Sequence, residues 1–293
     1  MKTPLSIIFT IDVKFVQHFT VTLVSVLENN KDLDLEVFVI HDIEDQTVLN
    51  DVSVFIKKTY QIHLNLIKVD NSVFDNYRVS MHHSKAVYFR LLITEFIPDT
   101  VDKALFLDAD IVVAGSLKEL ADYEFKDDQY LLAVDDVEID EHVPRLNTLG
   151  FPVTRYFNAG VLLINVKAWR INKFSGKFIE LANEYMDRLA WWDQDILNMF
   201  FYKDWKEMDA KYNAIHLRKR LAVTPVVVHY AGTSKPWLYV HEHPYKQLYW
   251  DYLKLTPFNK FVYPDYNFKE VIRKAYIKLL NALGLRKQPV FKD

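Results

Sequence analysis

Ala104-Leu105-Phe106-Leu107-Asp108-Ala109-Asp110-Ile111-Val112-Val113 encloses two carboxylates in a run of apolar side chains. The run reads as one buried strand, on which alternation puts Asp108 and Asp110 on the same side. Two like charges in apolar surroundings repel and lose hydration unless a cation sits between them. A hard divalent metal ion is the simplest such cation. A surface turn bearing two acids is the plainer alternative. The chain has two further Asp-X-Asp triplets. Asp32-Leu33-Asp34 follows Asn29, Asn30 and Lys31 and reads as a solvated loop, whereas Asp193-Gln194-Asp195 leads into the apolar Ile196-Leu197 and reads as a helix start.

Upstream of this run, strand and helix alternate. Ser6–Ile11, Leu35–His41, Ile62–Val69 and Ala104–Leu107 read as strands. Phe15–Glu28 and Gln46–Lys58 read as helices, and Ser84 is expected to cap a third that ends at Phe96, before Pro98. This rhythm predicts an α/β fold with a mostly parallel sheet flanked by helices. Ligands of such sheets bind beyond the carboxyl ends of the strands, where Asp12, Asp108 and Asp110 fall. Downstream, Tyr130–Val134, Val161–Val166 and Val226–His229 read as strands, while 137–156 is less patterned and reads as a loop or small helix near a site. No repeat or linker divides the chain, so 1–265 is expected to be one domain and 266–293 a tail.

Composition narrows the chemistry. Six glycines in 293 residues leave no Gly-rich phosphate cradle, so a bound nucleotide must have its phosphates neutralised in another way. The absence of cysteine excludes disulfides and thiolate metal sites and suits a reducing cytosol. The formal net charge is −3, yet the tail carries Lys269, Arg273, Lys274, Lys278, Arg286, Lys287 and Lys292 against only Glu270 and Asp293. An acidic body with a basic tail argues against nucleic-acid binding and gives the tail its own task. Phe268, Val271, Ile272, Ala275, Tyr276, Leu279, Leu280 and Leu283 form an amphipathic helical stripe there. It reads either as a helix docked on the body or as one lying on an anionic membrane surface.

Taken in order, several motifs resemble the retaining glycosyltransferases of family eight: Asp12; Ser84 with Tyr88-Phe89-Arg90; Leu105 to Asp110; Tyr156-Phe157-Asn158-Ala159-Gly160; Asp193-Gln194-Asp195; and His229-Tyr230-Ala231-Gly232 with Lys235-Pro236-Trp237. The resemblance spans about residues 5–255. It implies a single nucleotide-sugar-binding domain of the GT-A type. It also implies a UDP-hexose donor, galactose or glucose, and a glycan, lipid-linked or protein acceptor. By the same resemblance Asp108, Asp110 and His229 would hold Mn2+ or Mg2+, which suits two carboxylates and an imidazole. Asp12, Lys14, Arg90, Asp108, Ala109, Asn158, Gly232, Lys235 and His82 would bind the donor. Lys14 stands where the family often has Asn. Gln194, Asp193, Asp195 and Asp135 would form the catalytic set, with Gln194 beneath the anomeric carbon. Retention then follows from a covalent intermediate on Asp195 or from attack on the leaving group's own side; the poor nucleophilicity of an amide favours the second. Two rivals remain: a haloacid-dehalogenase-type phosphatase, whose Asp-X-Asp normally continues with Gly-Thr, and a sugar-nucleotide-binding protein without turnover. The expected location is the cytoplasm, at the inner face of the membrane.

Overall fold

The computed structural model describes residues 4–78 and 84–283. Nine strands run β1 (Leu5–Ile11), β2 (Leu35–His41), β3 (Leu64–Lys68), β4 (Ala104–Leu107), β5 (Ile111–Val113), β6 (Leu131–Asp135), β7 (Phe157–Ile164), β8 (Lys206–Glu207) and β9 (Val227–His229) among the described residues. Seven form a sheet in the order β3-β2-β1-β4-β7-β6-β8, and β5 pairs with β9 in a separate ribbon. The β3-β2-β1-β4 half is parallel; β7 runs antiparallel to both β4 and β6. The expected mostly parallel, helix-covered sheet is therefore present.

Alternation along the strands makes the two faces. Leu5, Ile7, Phe9 and Ile11 of β1, with Leu105 and Leu107 of β4, pack with Phe19, Leu23 and Leu27 of the helix Val16–Asn29. Phe9 meets Phe19 edge to face, ring centroids 5.0 Å apart; burying one such ring contributes ~2–3 kcal/mol. Ile8, Phe106, Leu162 and Ile164 point the other way, into a cluster with Trp169, Phe178, Ile196 and Leu197. Those last four lie on the helices Val166–Ile171, Phe174–Tyr185 and Trp192–Phe200.

The 104–113 run is not one strand. It breaks at Asp108-Ala109-Asp110, and its second half leaves the main sheet to pair with β9. Polar residues on the buried side of the first helix hold that break. Thr22 Oγ1 donates to the carbonyls of Ala109 (2.9 Å) and Ile111 (2.7 Å), and Ser25 Oγ accepts from Val113 N–H at 2.9 Å. These bonds satisfy backbone groups that a strand outside the sheet would otherwise bury unpaired.

Other segments depart from expectation only in part, and 137–156 and the tail hold the helices read there. Lys85–Leu92 is a 3-10 helix followed by one α-turn, Ile93–Phe96, and the Ser84 side chain makes no capping bond. The 137–156 segment contains a helix, Ile139–Thr148, that carries Pro144 inside it. Strand β7 begins at Phe157, so Asn158-Ala159-Gly160 lie within it rather than before it. The tail forms the helix Phe268–Ala282. Its stripe divides between two directions: Val271 and Leu280 are half-buried, while Phe268, Ile272, Ala275, Tyr276, Leu279 and Leu283 are exposed. No described helix is long and apolar enough to cross a membrane.

Candidate active site

The break after β4 and the end of β9 bring Asp108, Asp110 and His229 together, with potential ligand atoms within 4.8 Å of one another. His229 Nε2 lies 3.3 Å from Asp110 Oδ1 and 3.7 Å from Asp108 Oδ2. Hydrogen bonds around the site orient the imidazole. Gly160 N–H donates to Asn158 Oδ1 at 3.0 Å, which fixes that oxygen as an acceptor. Asn213 must then donate to it through Nδ2 (2.9 Å) and turn its own Oδ1 toward His229 Nδ1, 2.9 Å away. Nδ1 thus carries a proton, and in the neutral ring the Nε2 lone pair faces two carboxylates. A second proton or a bound cation must balance that convergence. The donor set, two carboxylates and an imidazole whose far nitrogen is hydrogen-bonded, fits a divalent metal such as manganese.

Gly160 is required here by space. A Cβ at this position would lie 2.2 Å from His229 Cε1 and 2.7 Å from Asp108 Oδ2. Gly232, just beyond β9, takes φ +72°, a left-handed conformation that glycine adopts without strain.

Two cations border the trio. Lys235 Nζ is 2.5 Å from Asp110 Oδ2 and donates to Tyr230 O at 2.9 Å. Burial alone would raise the Asp110 carboxyl, but Lys235 and His229 override it and hold it well below the usual range. Buried Arg90 donates to Asp108 Oδ1 (2.7 Å), to Ala159 O (2.5 Å) and to Asp193 Oδ2 (2.8 Å), with its guanidinium over the Phe106 ring. Burial pushes the Asp193 carboxyl up to about 7, with Arg90 pulling the other way.

Asp193 and Gln194 open the helix Trp192–Phe200, entered through Trp192 at φ +37°, a left-handed value uncommon for a bulky residue. Asn198 ties this helix to β7, accepting from Phe157 N–H at 2.8 Å and donating to Phe157 O at 2.9 Å. Gln194 Oε1 accepts from Ala159 N–H (2.9 Å) and Asn158 Nδ2 (3.2 Å), and Gln194 Nε2 approaches Tyr156 Oη at 3.3 Å.

Asp195 points elsewhere. It is fully buried, and Arg145 donates to both its oxygens at 2.6 and 2.8 Å. Tyr156 Oη (2.7 Å) and the N–H groups of Ala190 and Trp191 (2.9 Å each) use its remaining lone pairs. Asp135 also lies outside the cluster, paired with Arg155 at 2.5 Å; Arg155 reaches Glu207 as well and stacks on Trp205. Its neighbour Asp136, absent from the sequence-based set, is the carboxylate that faces Asn158 (3.2 Å) and Gln194 (3.5 Å).

Asp12 closes β1 and accepts from Lys14 and Phe15 N–H at 2.8 and 3.1 Å, while the Lys14 side chain is exposed. Ala109 is buried in the break. His82 lies outside the described residues. The structure therefore gathers Asp108, Ala109, Asp110, Arg90, Asn158, Asp193, Gln194, His229 and Lys235, and adds Asp136, Asn213, Tyr156 and Arg145. Asn213 and Arg145 sit in stretches without a motif, and no sequence signal marked them.

A helix-covered sheet that ends in a broken Asp-X-Asp turn, faced by a histidine from a second ribbon and a lysine from the loop that follows it, defines a glycosyltransferase of the GT-A fold. The galactosyltransferase LgtC, solved with donor and acceptor sugar analogues, superposes with a TM-score of 0.78 at 25% identity, over 86% of this chain and 96% of its own. The chain belongs to glycosyl transferase family 8, whose model matches residues 6–241. It is 31% identical to the lipopolysaccharide 1,3-galactosyltransferase of Salmonella typhimurium, over 83% of this chain and 76% of that protein. It is 32% identical to a lipopolysaccharide 1,2-glucosyltransferase of Escherichia coli, over 74% of this chain and 68% of that one. General stress protein A of Bacillus subtilis is 28% identical over 71% of this chain and 78% of its own length.

Proposed function

We propose that this glycosyltransferase moves a hexose, galactose or glucose, from its UDP-sugar to a cell-envelope glycan acceptor with retention, forming an α linkage. One observation carries the reading: the Nε2 atom of His229 and two carboxylates converge beside Lys235. Relatives named for galactosyl and glucosyl transfer to lipopolysaccharide support the hexose and the class of acceptor. Asp108, Asp110 and His229 would hold Mn2+ or Mg2+, which acts as a Lewis acid on a departing diphosphate.

The chain's own residues do the rest. Lys235 supplies a positive charge to the diphosphate, a task otherwise given to a glycine-rich loop. Arg90 fixes Asp108 and Asp193 so that their oxygens can accept hydroxyl hydrogen bonds from the donor sugar. Asp12 and the main chain at Lys14 would take the base. Gln194 is held by Ala159 N–H and Asn158, and its amide dipole supports positive charge at the anomeric carbon.

Asp195 is engaged by five donors and is ill-suited to nucleophilic attack. Same-side attack is the better-supported course. The acceptor oxygen bonds to the anomeric carbon as the bond to the diphosphate breaks, and the acceptor's proton passes to a diphosphate oxygen. Asp136, rather than Asp135, would face the acceptor side.

The exposed Phe268, Ile272, Tyr276, Leu279 and Leu283, flanked by exposed Lys269, Arg273 and Lys278, support contact with an anionic membrane at its inner face. Release of UDP across a panel of UDP-sugars, with and without manganese, tests the assignment. Turnover of one hexose donor only in the presence of metal is the expected result. Nucleotide binding without turnover, with acceptor present, would instead make the protein a binder. For the membrane, loss of binding to phosphatidylglycerol vesicles on deletion of 266–293 is expected; equal binding by both forms refutes it.

A further inference from the structure

The loop that carries Lys235 runs on through Pro236 to Glu242, and two lysines grip it from its far side. Lys246 Nζ donates to Leu238 O (2.5 Å) and His241 O (2.9 Å). Lys274, on the C-terminal helix, donates to Tyr239 O at 2.9 Å. Trp250 Nε1 donates to Pro236 O at 3.0 Å, and the Lys246 ammonium lies over the Tyr263 ring. These groups, with His241 and Glu242, line a cavity of about 500 Å3, in the range of small-molecule sites.

The cavity's charge is unbalanced. Among the described residues, neither lysine has a carboxylate within ion-pair distance. Asp265, the nearest further acid, uses both oxygens on Tyr239 N–H at 2.8 and 3.0 Å. Glu270 is paired with Arg273. Glu242 is the one acid on the lining, against two ammonium groups. Burial, and then Lys274, push the Lys246 amine down to about 8, with Glu242 and Asp265 pulling the other way.

We propose that this cavity binds a phosphate group, with Lys246 and Lys274 as its cationic ligands and Trp250 and Tyr263 packing the organic part attached to it. Lysines serve as point charges for phosphate, and an aromatic wall suits a sugar or glycerol moiety. Two sources carry that chemistry: a phospholipid headgroup at the membrane surface, and a phosphate on a soluble molecule. The same two ammonium groups hold the main chain at 238–241, just past Lys235. Occupancy of the cavity is therefore felt by the loop that bears the diphosphate-binding residue of the proposed donor site.

The test reads the site directly, through the lysine side-chain NMR signals of Lys246 and Lys274 in the full chain. Glycerol phosphate is one probe, and phosphatidylglycerol vesicles are the other, with glycerol and phosphatidylcholine vesicles as controls. Saturable shifts of both signals with glycerol phosphate identify a soluble source. Shifts with phosphatidylglycerol vesicles alone identify a lipid headgroup. Lys246→Gln with Lys274→Gln, followed through the Trp250 indole signal, is expected to weaken binding of the effective probe by about tenfold or more in a protein whose spectrum shows the fold retained. If the double variant fails to fold, either single variant serves, with a smaller loss. Signals that respond to neither phosphate probe, or equally to the neutral controls, overturn the proposal whatever the donor assay shows.

Discussion

The Asp108–Asp110 pair and the lone Asp195 differ in what their carboxylate oxygens still have to do. Asp108 and Asp110 face the Nε2 atom of His229 and two cations, Arg90 and Lys235, so the cluster retains capacity for a ligand. Asp195 has every lone pair assigned, to Arg145, Tyr156 and two backbone N–H groups. Each carboxylate is paired with a cation, but Asp195 is fully buried and Asp108 and Asp110 only partly; saturation of the oxygens separates chemistry from architecture. A carboxylate whose hydrogen bonds are complete braces its neighbours, and Asp195 braces Gln194 through the shared Tyr156 hydroxyl.

The sharpest break of this contrast is Asp110→Asn. It keeps the shape and removes one charge from the open cluster, so turnover is expected to fall by ~10³-fold or more while the melting temperature changes little. Steady-state kinetics alongside a thermal melt checks both halves. Next in size is Gly160→Ala, which forces a methyl group onto the His229 ring. A loss of ~100-fold in activity is expected, with a stability cost of ~1–3 kcal/mol read by denaturant titration.

Asp195→Asn works through the other group. It leaves the Arg145 guanidinium without its buried partner, at a cost of roughly 3–5 kcal/mol and a fall in melting temperature of about 10 °C. Affinity for UDP in the protein that remains folded should stay within about threefold, as fluorescence titration would record. A well-folded but inactive Asp195→Asn protein would instead return Asp195 to the chemistry. Smallest is Asp135→Asn, which breaks a partly exposed pair with Arg155 and is expected to change stability by less than ~1 kcal/mol and activity by about twofold. Asp136→Asn, assayed beside it, should cost ~10-fold or more in turnover with acceptor present, because Asp136 meets Asn158 and Gln194.

Much of this was legible in the chain. Leu35–His41 and Ala104–Leu107 form as expected because each holds a contiguous apolar run, Val37–Ile40 and Ala104–Leu107, buried on both faces. Asp108, Asp110 and His229 were found through motif order. What sequence hides is mostly a matter of register and of partners distant in the chain. The strand break at 108–110 is invisible locally, because both halves are equally apolar and β5 finds its partner only at β9. The choice between Asp135 and Asp136 turns on an irregularity between Leu132 and Val134, which resets the pairing of β6 with β7. Adjacent acids on such a strand cannot be assigned to a face from sequence alone. Asn213 and Arg145 act through single contacts made from unpatterned segments, and such contacts leave no periodic trace.

Manganese binding measured by electron paramagnetic resonance, with and without UDP, in the unaltered protein, Asp110→Asn and Asp195→Asn, tests the central claim most directly. The account predicts that manganese and UDP bind the unaltered protein cooperatively, that Asp110→Asn loses manganese binding, and that folded Asp195→Asn retains it. Equal manganese binding by the unaltered protein and Asp110→Asn would contradict it.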